Sequence, residues 1–224
     1  MKYSLFLLSA LIVFCSKAQF SVSVGPSMIK SFGISGIFPG FHVGGEYAKD
    51  DQSSLFARVS FMPSKQNTPE TGFMIATGKT FDVNPYSIQL ESTEKINYTA
   101  IEIGRRYYFG NGLDYGFGFF GGSNLCFVFN KVKYEVQDFD ENNYDLFINA
   151  EQISDRDKAI GNIFGFSFGL NAGIKNNFTF GTLYLDGGMN YAIYALPSNT
   201  IASTSTMYRQ LFFSVNIGIK KDFY

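Results

Sequence analysis

Apolar and polar residues alternate with a period of two in eight separate segments of the chain. Successive side chains of a β-strand point to opposite faces, so each segment predicts a strand with one apolar and one polar face. In the clearest segment the polar row is glycine, serine, asparagine and lysine, and the apolar row is Phe164, Phe166, Phe168, Leu170, Ala172 and Ile174. The eight segments lie at about 20–30, 40–48, 53–63, 95–109, 114–130, 162–175, 178–194 and 208–220.

The connections between these segments alternate between short and long. An antiparallel up-and-down barrel with both chain ends on one side places every tight turn on that side and every long loop on the other. The pattern therefore predicts an all-β fold, an eight-stranded antiparallel up-and-down β-barrel. The short connections are Lys49–Gln52, Gly110–Leu113 and Asn176–Asn177, and the long ones are roughly 31–39, 64–94, 131–161 and 195–207.

The sizes of the side chains in the two rows predict which row faces outward. An eight-stranded barrel has an interior only wide enough for side chains to fill, and the polar row is largely Gly, Ser, Asn and Thr. The large apolar row would overfill that interior but would cover a lipid-facing wall, and the segments approach the ~9 to 11 residues of a tilted transmembrane strand. The sequence therefore predicts a transmembrane barrel. A soluble lipocalin-like binder, which would expose the same row to water, is the remote alternative.

The N-terminus reads as a sorting signal. Lys2 precedes an apolar core from Leu5 to Cys15, and small residues at −3 and −1 predict cleavage after Ala18. Val13 and Phe14 argue against lipid anchoring at Cys15. We expect a signal peptide at 1–18, a single barrel domain at 19–224 and a location in the cell outer membrane.

Composition and charge exclude several classes of function. The 18 Lys and Arg residues against 19 Asp and Glu give a formal charge of −1, and cleavage after residue 18 leaves 16 against 19, a charge of −3. This balance provides no electrostatic attraction for nucleic acid. Cleavage also leaves Cys126 as the one cysteine, so no intramolecular disulfide can form, and we expect Cys126 to be a packed strand side chain.

The polar row carries charges of both signs on neighbouring strands. A buried charge that loses its partner costs ~3 to 5 kcal/mol, so these charges are expected to pair with one another. The prediction is a structural ion-pair network that fills the interior, with a gated ion path or catalytic carboxylates as alternatives, and a constitutive pore is not expected at this strand number. The predicted inward network is Glu46, Arg58, Glu102, Arg106 and Asp186.

Other candidate chemistry is weak, and no catalytic residue, metal site or cofactor is predicted. His42 is the one histidine, and a Ser/His/Asp enzyme would need it beside an acid and a hydroxyl at the outer rim. One His and one Cys lack the clustering of zinc sites. The segment 138–143 is similar to a calcium loop, but Asn143 replaces the turn glycine and Asn149 the bidentate glutamate.

The two longest connections are expected to differ. The 131–161 connection is predicted to be a solvated surface loop, with divalent cation binding as the alternative. The 64–94 connection contains alternating pieces at Phe73–Lys79 and Ser87–Glu91, which predict an extension of the barrel above the membrane. Such a rim can bind partners or shield the surface.

The signal peptide, the eight strands and an aromatic chain end at Phe223 and Tyr224 together resemble the small outer-membrane barrels of Gram-negative bacteria, of the OmpA/OmpX type. The segment Lys95–Gly110, KINYTAIEIGRRYYFG, resembles the PorT-like outer-membrane β-barrel domains of the Bacteroidetes lineage. The resemblance implies that a terminal aromatic residue is part of the assembly signal read by the barrel-assembly machinery. Phe223 shares parity with the apolar row of the last strand, and Tyr224 does not.

From these observations we expect a non-enzymatic integral outer-membrane barrel with a structural role in the envelope or a loop-mediated interaction. Its expected partners are outer-membrane lipid, the barrel-assembly machinery and other envelope or secretion proteins that contact the long loops. The PorT-like resemblance implies a rival role, as an accessory component of a protein-secretion system. A membrane-embedded enzyme acting on lipid or peptide is a further alternative.

Overall fold

The structure is a computed structural model that describes residues 20–32, 34, 36–66, 72–110, 116–148, 151–153, 159–198 and 210–223. The predicted signal peptide and Tyr224 lie outside the described residues. Across these ranges no helix is long and apolar enough to span a bilayer. The strands are β1 (Phe20–Ser31), β2 (Phe38–Asp50), β3 (Ser53–Gln66), β4 (Gly72–Gly78), β5 (Ser87–Gly110), β6 (Phe117–Val136), β7 (Tyr144–Ile148), β8 (Glu151–Ile153), β9 (Ile160–Phe178), β10 (Gly181–Pro197) and β11 (Leu211–Phe223).

Eight of these strands close into a ring. The hydrogen-bonded order is β3-β2-β1-β11-β10-β9-β6-β5, and an antiparallel pairing of β3 with β5 completes the circle. All neighbours in the ring are antiparallel. The predicted eight-stranded up-and-down barrel is confirmed, and each of the eight alternating segments falls on one ring strand. We call the interior the lumen, the end with the chain termini and tight turns the lower end, and the opposite end the upper end.

The turn between β2 and β3 lies where the sequence predicted it. The Asp50 carboxylate accepts hydrogen bonds from the Ser53 hydroxyl at 2.6 Å and from the backbone N–H of Gln52 at 3.0 Å. These two bonds hold the pKa of Asp50 below its ordinary value, and the bond from Ser53 has the larger effect. The side chain therefore fixes the turn that begins β3.

The predicted turn at Asn176–Asn177 is wrong. Both asparagines lie within β9 and pair with β10, and the two-residue turn consists of Thr179 and Phe180. The side-chain oxygen of Asn177 accepts a hydrogen bond from the Thr182 hydroxyl at 2.9 Å, so this asparagine stabilises strand pairing. Gly181 follows the turn with φ +147°, a conformation that favours glycine.

The outward face of the ring carries a continuous apolar belt, as the sequence predicted. On β9, for example, Phe168 and Leu170 are about half exposed, while Ser167 and Asn171, which flank them in the sequence, are buried in the lumen. The same alternation runs around the ring in every barrel strand. The belt is the surface that the barrel presents to its surroundings.

On β5 and β6 the polarity of the two faces inverts toward the upper end. On β5 the outward row becomes polar at Asn97 and Lys95, and the inward row becomes apolar at Tyr98 and Ile96. On β6 the outward aromatic row ends at Phe129. The upper ends of β5 and β6 therefore have a polar outward row and an apolar inward row. On β10, by contrast, apolar side chains remain exposed toward the upper end, at Ile193, Tyr194 and Leu196.

The expectation of a small and polar inward row is consequently wrong for the upper half of the lumen. The inward side chains there are large and apolar, and their removal from water favours a packed core. Phe38 and Tyr98 lie edge to face in this core, with ring centroids 4.7 Å apart. Its buried members are Ile29, Ile34, Phe38, Met62, Ile96, Tyr98, Ala100, Cys126, Val128, Val132, Ile163, Ala192 and Phe212.

Three short strands continue the sheet above the barrel. β4 pairs with the upper part of β5, β7 pairs with β4, and β8 pairs with β7. The structure thus confirms the predicted extension in the 64–94 connection. The prediction of a solvated loop at 131–161 is wrong in part, because β7 and β8 lie there and contribute to a second core. Its buried members are Ala76, Leu90, Tyr144, Leu146, Ile148, Ile153 and Ala159.

Candidate functional site: the charged lumen

The five charged residues predicted to face inward meet in the lower half of the lumen. Arg58 lies directly opposite Glu102 in the pairing of β3 with β5, and its Nε donates to Glu102 Oε2 at 2.6 Å. Arg58 Nη1 reaches across the lumen to Asp186 on β10, donating to Oδ2 at 2.7 Å and to Oδ1 at 3.0 Å. This guanidinium joins carboxylates from two sides of the ring.

A second arginine completes the network. Arg106 Nη1 donates to Glu46 Oε2 at 3.0 Å, and Arg106 Nη2 donates to Asp186 Oδ2 at 2.7 Å. Asp186 therefore accepts hydrogen bonds from both arginines. All five side chains are at least nine-tenths buried, so other charged groups rather than water must compensate their charges. Three carboxylates face two guanidinium groups, and the buried ammonium group of Lys220, 3.6 Å from Glu46 Oε2, supplies a third positive charge.

Polar neighbours that the sequence prediction omitted saturate the carboxylates. Glu46 accepts hydrogen bonds from the hydroxyls of Ser54 and Tyr108, and Lys220 Nζ lies 3.6 Å from its Oε2. Asp186 Oδ1 accepts a bond of 2.7 Å from the side-chain amide of Asn216. The alternation of side chains along β11 predicts that Lys220 and Asn216 face inward. It does not predict that they contact these carboxylates.

Inward aromatic side chains enclose the arginines. The Arg106 guanidinium carbon lies 4.2 Å from the ring centroid of Phe56 and 4.8 Å from that of Phe120. Cation–π contacts of this kind strengthen when water is excluded. Adjacent glycines make room for these rings, since a Cβ on Gly173 would lie only 2.4 Å from Phe120 Cζ.

Side chains fill the lumen at the level of the network. The cavity beside Glu46 and Arg106 has a volume of about 10 Å³, the space of roughly one water molecule. Toward the upper end the apolar core follows directly. This packing suits a plugged barrel and leaves no room at this level for a hydrated ion.

His42 lies inside the barrel rather than at its outer rim. Its side chain is fully buried, and Nε2 lies 2.5 Å from the hydroxyl of Tyr184. His42 is therefore not placed at the outer rim, where a Ser/His/Asp enzyme would require it. Cys126 is also buried in the lumen, where it packs in the upper core.

The acidic segment that is similar to a calcium loop forms a local turn. Asp140 Oδ1 accepts a hydrogen bond of 3.0 Å from the backbone N–H of Asn142, and Oδ2 accepts one of 2.7 Å from the Asn143 side chain. These bonds, the backbone bond first, lower the pKa of Asp140. In the part of the chain that the structure describes, no three His, Cys, Asp or Glu side chains are grouped to hold a metal ion.

The predicted assembly residue Phe223 ends β11 on the outward face. It is 54% exposed and pairs with Phe20, so the start of β1 and the end of β11 meet at the lower end of the barrel. Tyr224 lies outside the described residues.

Among known proteins, no family model matches the chain, and no curated protein matches its sequence. Among solved structures, it is similar to the attachment invasion locus protein Ail of Yersinia pestis, solved with the heparin analogue sucrose octasulfate. That match has 11% identity and a TM-score of 0.45, and covers 91% of this chain and 99% of Ail.

Two further solved structures have a similar fold along most of their length. Neisserial surface protein A matches with 12% identity and a TM-score of 0.47, over 93% of this chain and 98% of its own. The outer membrane protein OprG of Pseudomonas aeruginosa matches with 10% identity and a TM-score of 0.47, over 92% and 96%. The barrel assignment rests on the strand pairings of this chain itself.

Proposed function

We propose that this chain is a non-enzymatic integral β-barrel protein of the outer membrane, with a structural role in the envelope or a loop-mediated interaction. The observation that carries the proposal is the apolar belt, which surrounds the barrel and gives way to polar residues at Asn97 on β5 and Lys131 on β6. Exposing such a belt to water would cost about 25 cal/mol per Å² of apolar surface. A bilayer removes that cost over the height of the belt.

The charged network supports a structural role for the lumen. In the span of the belt the outside of the barrel is apolar, so apolar burial inside contributes little and pairing of polar groups must fix the strands. The network does this by joining β2, β3, β5 and β10 across the lumen. We therefore assign Glu46, Arg58, Glu102, Arg106 and Asp186 as a plug rather than as catalytic groups.

The end of β11 supports recognition by the barrel-assembly machinery. Phe223 is on the lipid-facing row of the last strand, where it is accessible before the ring closes. We expect Phe223→Ala to slow insertion into membranes that contain the assembly machinery. The same substitution is expected to leave spontaneous folding in detergent unchanged, and a comparison of the two rates measures the difference.

The proposal is tested by fractionation and gel mobility. A closed barrel in the outer membrane is expected to sediment with that membrane, to require detergent for extraction, and to migrate faster before boiling than after. Release as a soluble protein with one mobility would contradict the proposal and revive the lipocalin-like alternative.

The two rival functions remain hypotheses with their own tests. The accessory role in secretion that the PorT-like resemblance implies would be supported by co-purification with secretion components. An enzyme acting on lipid or peptide would be supported by an activity that is lost in His42→Ala.

A further inference from the structure

The outward face of β5 and β6 carries three lysines just above the apolar belt. Lys95 lies directly opposite Lys133 in the pairing of these strands, and Lys131 is on the same face two residues earlier. We name these three residues the lysine cluster. Phe129, the last outward aromatic residue of β6, precedes Lys131 by about 7 Å along the strand. The cluster therefore stands at the upper edge of the belt.

This arrangement is unfavourable for the protein alone. Like charges directly opposite each other on paired strands repel and destabilise the sheet. Glu135 Oε2 lies 2.6 Å from Lys95 Nζ, but both side chains are about 40% exposed and such surface pairs are weak. The described part of the chain brings no carboxylate into ion-pair contact with Lys131 or Lys133. The cluster therefore keeps a positive charge.

Other lysines near the same level are used by the fold. Lys30 and Lys65 each donate through Nζ to backbone carbonyls of the connection between β1 and β2. Within the described residues, Lys131 and Lys133 have no such carbonyl acceptor. Their ammonium groups are available to an external anion.

The surface directly below the cluster is aromatic. The rings of Phe129 and Phe164 lie 5.1 Å apart, and those of Phe127 and Phe166 lie 5.2 Å apart, across the pairing of β6 with β9. These four rings are outward and continuous with the belt. A ligand that fits both surfaces has an anionic group joined to a long apolar part.

We propose that the lysine cluster binds the phosphate-bearing headgroup of an anionic membrane lipid, whose acyl chains lie against the four phenylalanine rings. The inference rests on the proposed membrane location. The continuity of cationic and apolar surface favours a lipid over a soluble anion, because a soluble anion would use only the lysines. Each surface lysine near such a headgroup strengthens binding by about fivefold.

Native mass spectrometry of the purified protein in neutral detergent tests this. Phosphatidylglycerol and phosphatidylcholine with identical acyl chains are the probes, and the phosphatidylglycerol complex is expected to dominate. The double variant Lys131→Gln/Lys133→Gln is expected to bind phosphatidylglycerol about 25-fold more weakly. The matched control is Lys221→Gln, an exposed outward lysine at the lower end of the barrel, which is expected to bind as the unmodified protein does.

Three outcomes would overturn the inference while leaving the proposed function intact. These are equal retention of the two lipids, unchanged binding by the double variant, and binding of free glycerol 3-phosphate as tight as that of the lipid. A gel-mobility measurement on each variant shows whether the barrel is folded. If the unmodified protein itself shows no shift on heating, the proposed function fails and the inference fails with it.

Discussion

The two halves of the lumen are filled in opposite ways by one alternating chain. In the lower half five charged side chains pair with one another, and in the upper half an apolar core fills the lumen. The outward row behind that core becomes polar at the upper ends of β5 and β6. The strand geometry is the same in both, so the side chains of the inward row, not the backbone pairing, distinguish the two halves. Hydrogen bonds and ion pairs specify the lower interior, and apolar burial specifies the upper one.

The largest expected effect comes from removing Asp186. Asp186→Ala removes the acceptor that both arginines share, while Arg58 keeps Glu102 and Arg106 keeps Glu46. We expect a loss of up to about 3–5 kcal/mol, the cost of breaking a buried ion pair. Urea unfolding of the refolded protein in detergent or lipid measures the loss. Asp222→Ala is the control, because that inward carboxylate is 26% exposed near the lower mouth. Equal losses in the two variants would mean that the network does not stabilise the lower half.

Two native methionines, one inward and one outward, test the apolar core of the upper half. Met62 is fully buried in the upper core, so Met62→Ala should cost about 2–5 kcal/mol through lost contacts and a cavity. Met28 is 39% exposed on the outward row, and Met28→Ala should cost much less in the same unfolding experiment. A similar cost at both sites would contradict an apolar core in this half.

The belt is tested by placing a charge within it and above it. Leu170 is near the middle of the outward row of β9, and Leu170→Arg should cost about 2–4 kcal/mol in a bilayer. Thr93→Arg, on the outward row of β5 above the belt, should cost at most about 1 kcal/mol. Refolding into lipid vesicles under urea gives both values. If the cost at residue 93 matches that at residue 170, the upper boundary is wrongly placed.

The smallest expected effect is at the turn between β2 and β3. Asp50→Ala removes two hydrogen bonds at an exposed site and should lower stability slightly at pH 7, whereas Asp51→Ala should not. Because folding lowers the pKa of Asp50, its contribution is present above the ordinary value of about 4 and is lost as the pH falls below it. Unfolding midpoints from pH 7 to pH 2 measure this, and a difference that does not shrink as the pH falls would exclude the carboxylate as the cause.

Side-chain parity predicted much of this molecule. The period of two identified all eight ring strands and the inward direction of Glu46, Arg58, Glu102, Arg106 and Asp186. Parity assigns a side chain to a face but not to a partner across the lumen. The contacts of Asp186 with both arginines, from non-neighbouring strands, depend on ring closure and stagger and could not be read from the segments.

The missed features have equally physical reasons. Asn176 and Asn177 are typical turn residues, but strand pairing extends past them, and Thr179 and Phe180 form the turn. The apolar upper lumen was visible in the sequence at Ile96 and Tyr98. The alternation continues unbroken through these residues while the apolar side chains change faces, so one polarity for the whole strand does not predict it.

The central claim is that the polarity inversion marks the upper surface of the membrane, and depth measurements along β6 test it most directly. Fluorophores are attached at Leu125→Cys, Phe129→Cys and Glu135→Cys, since native Cys126 is only 1% exposed in the lumen. Quenchers fixed to lipid acyl chains should quench residue 125 strongly, residue 129 less and residue 135 hardly at all. Equal quenching at all three positions, or quenching at none, would contradict the account.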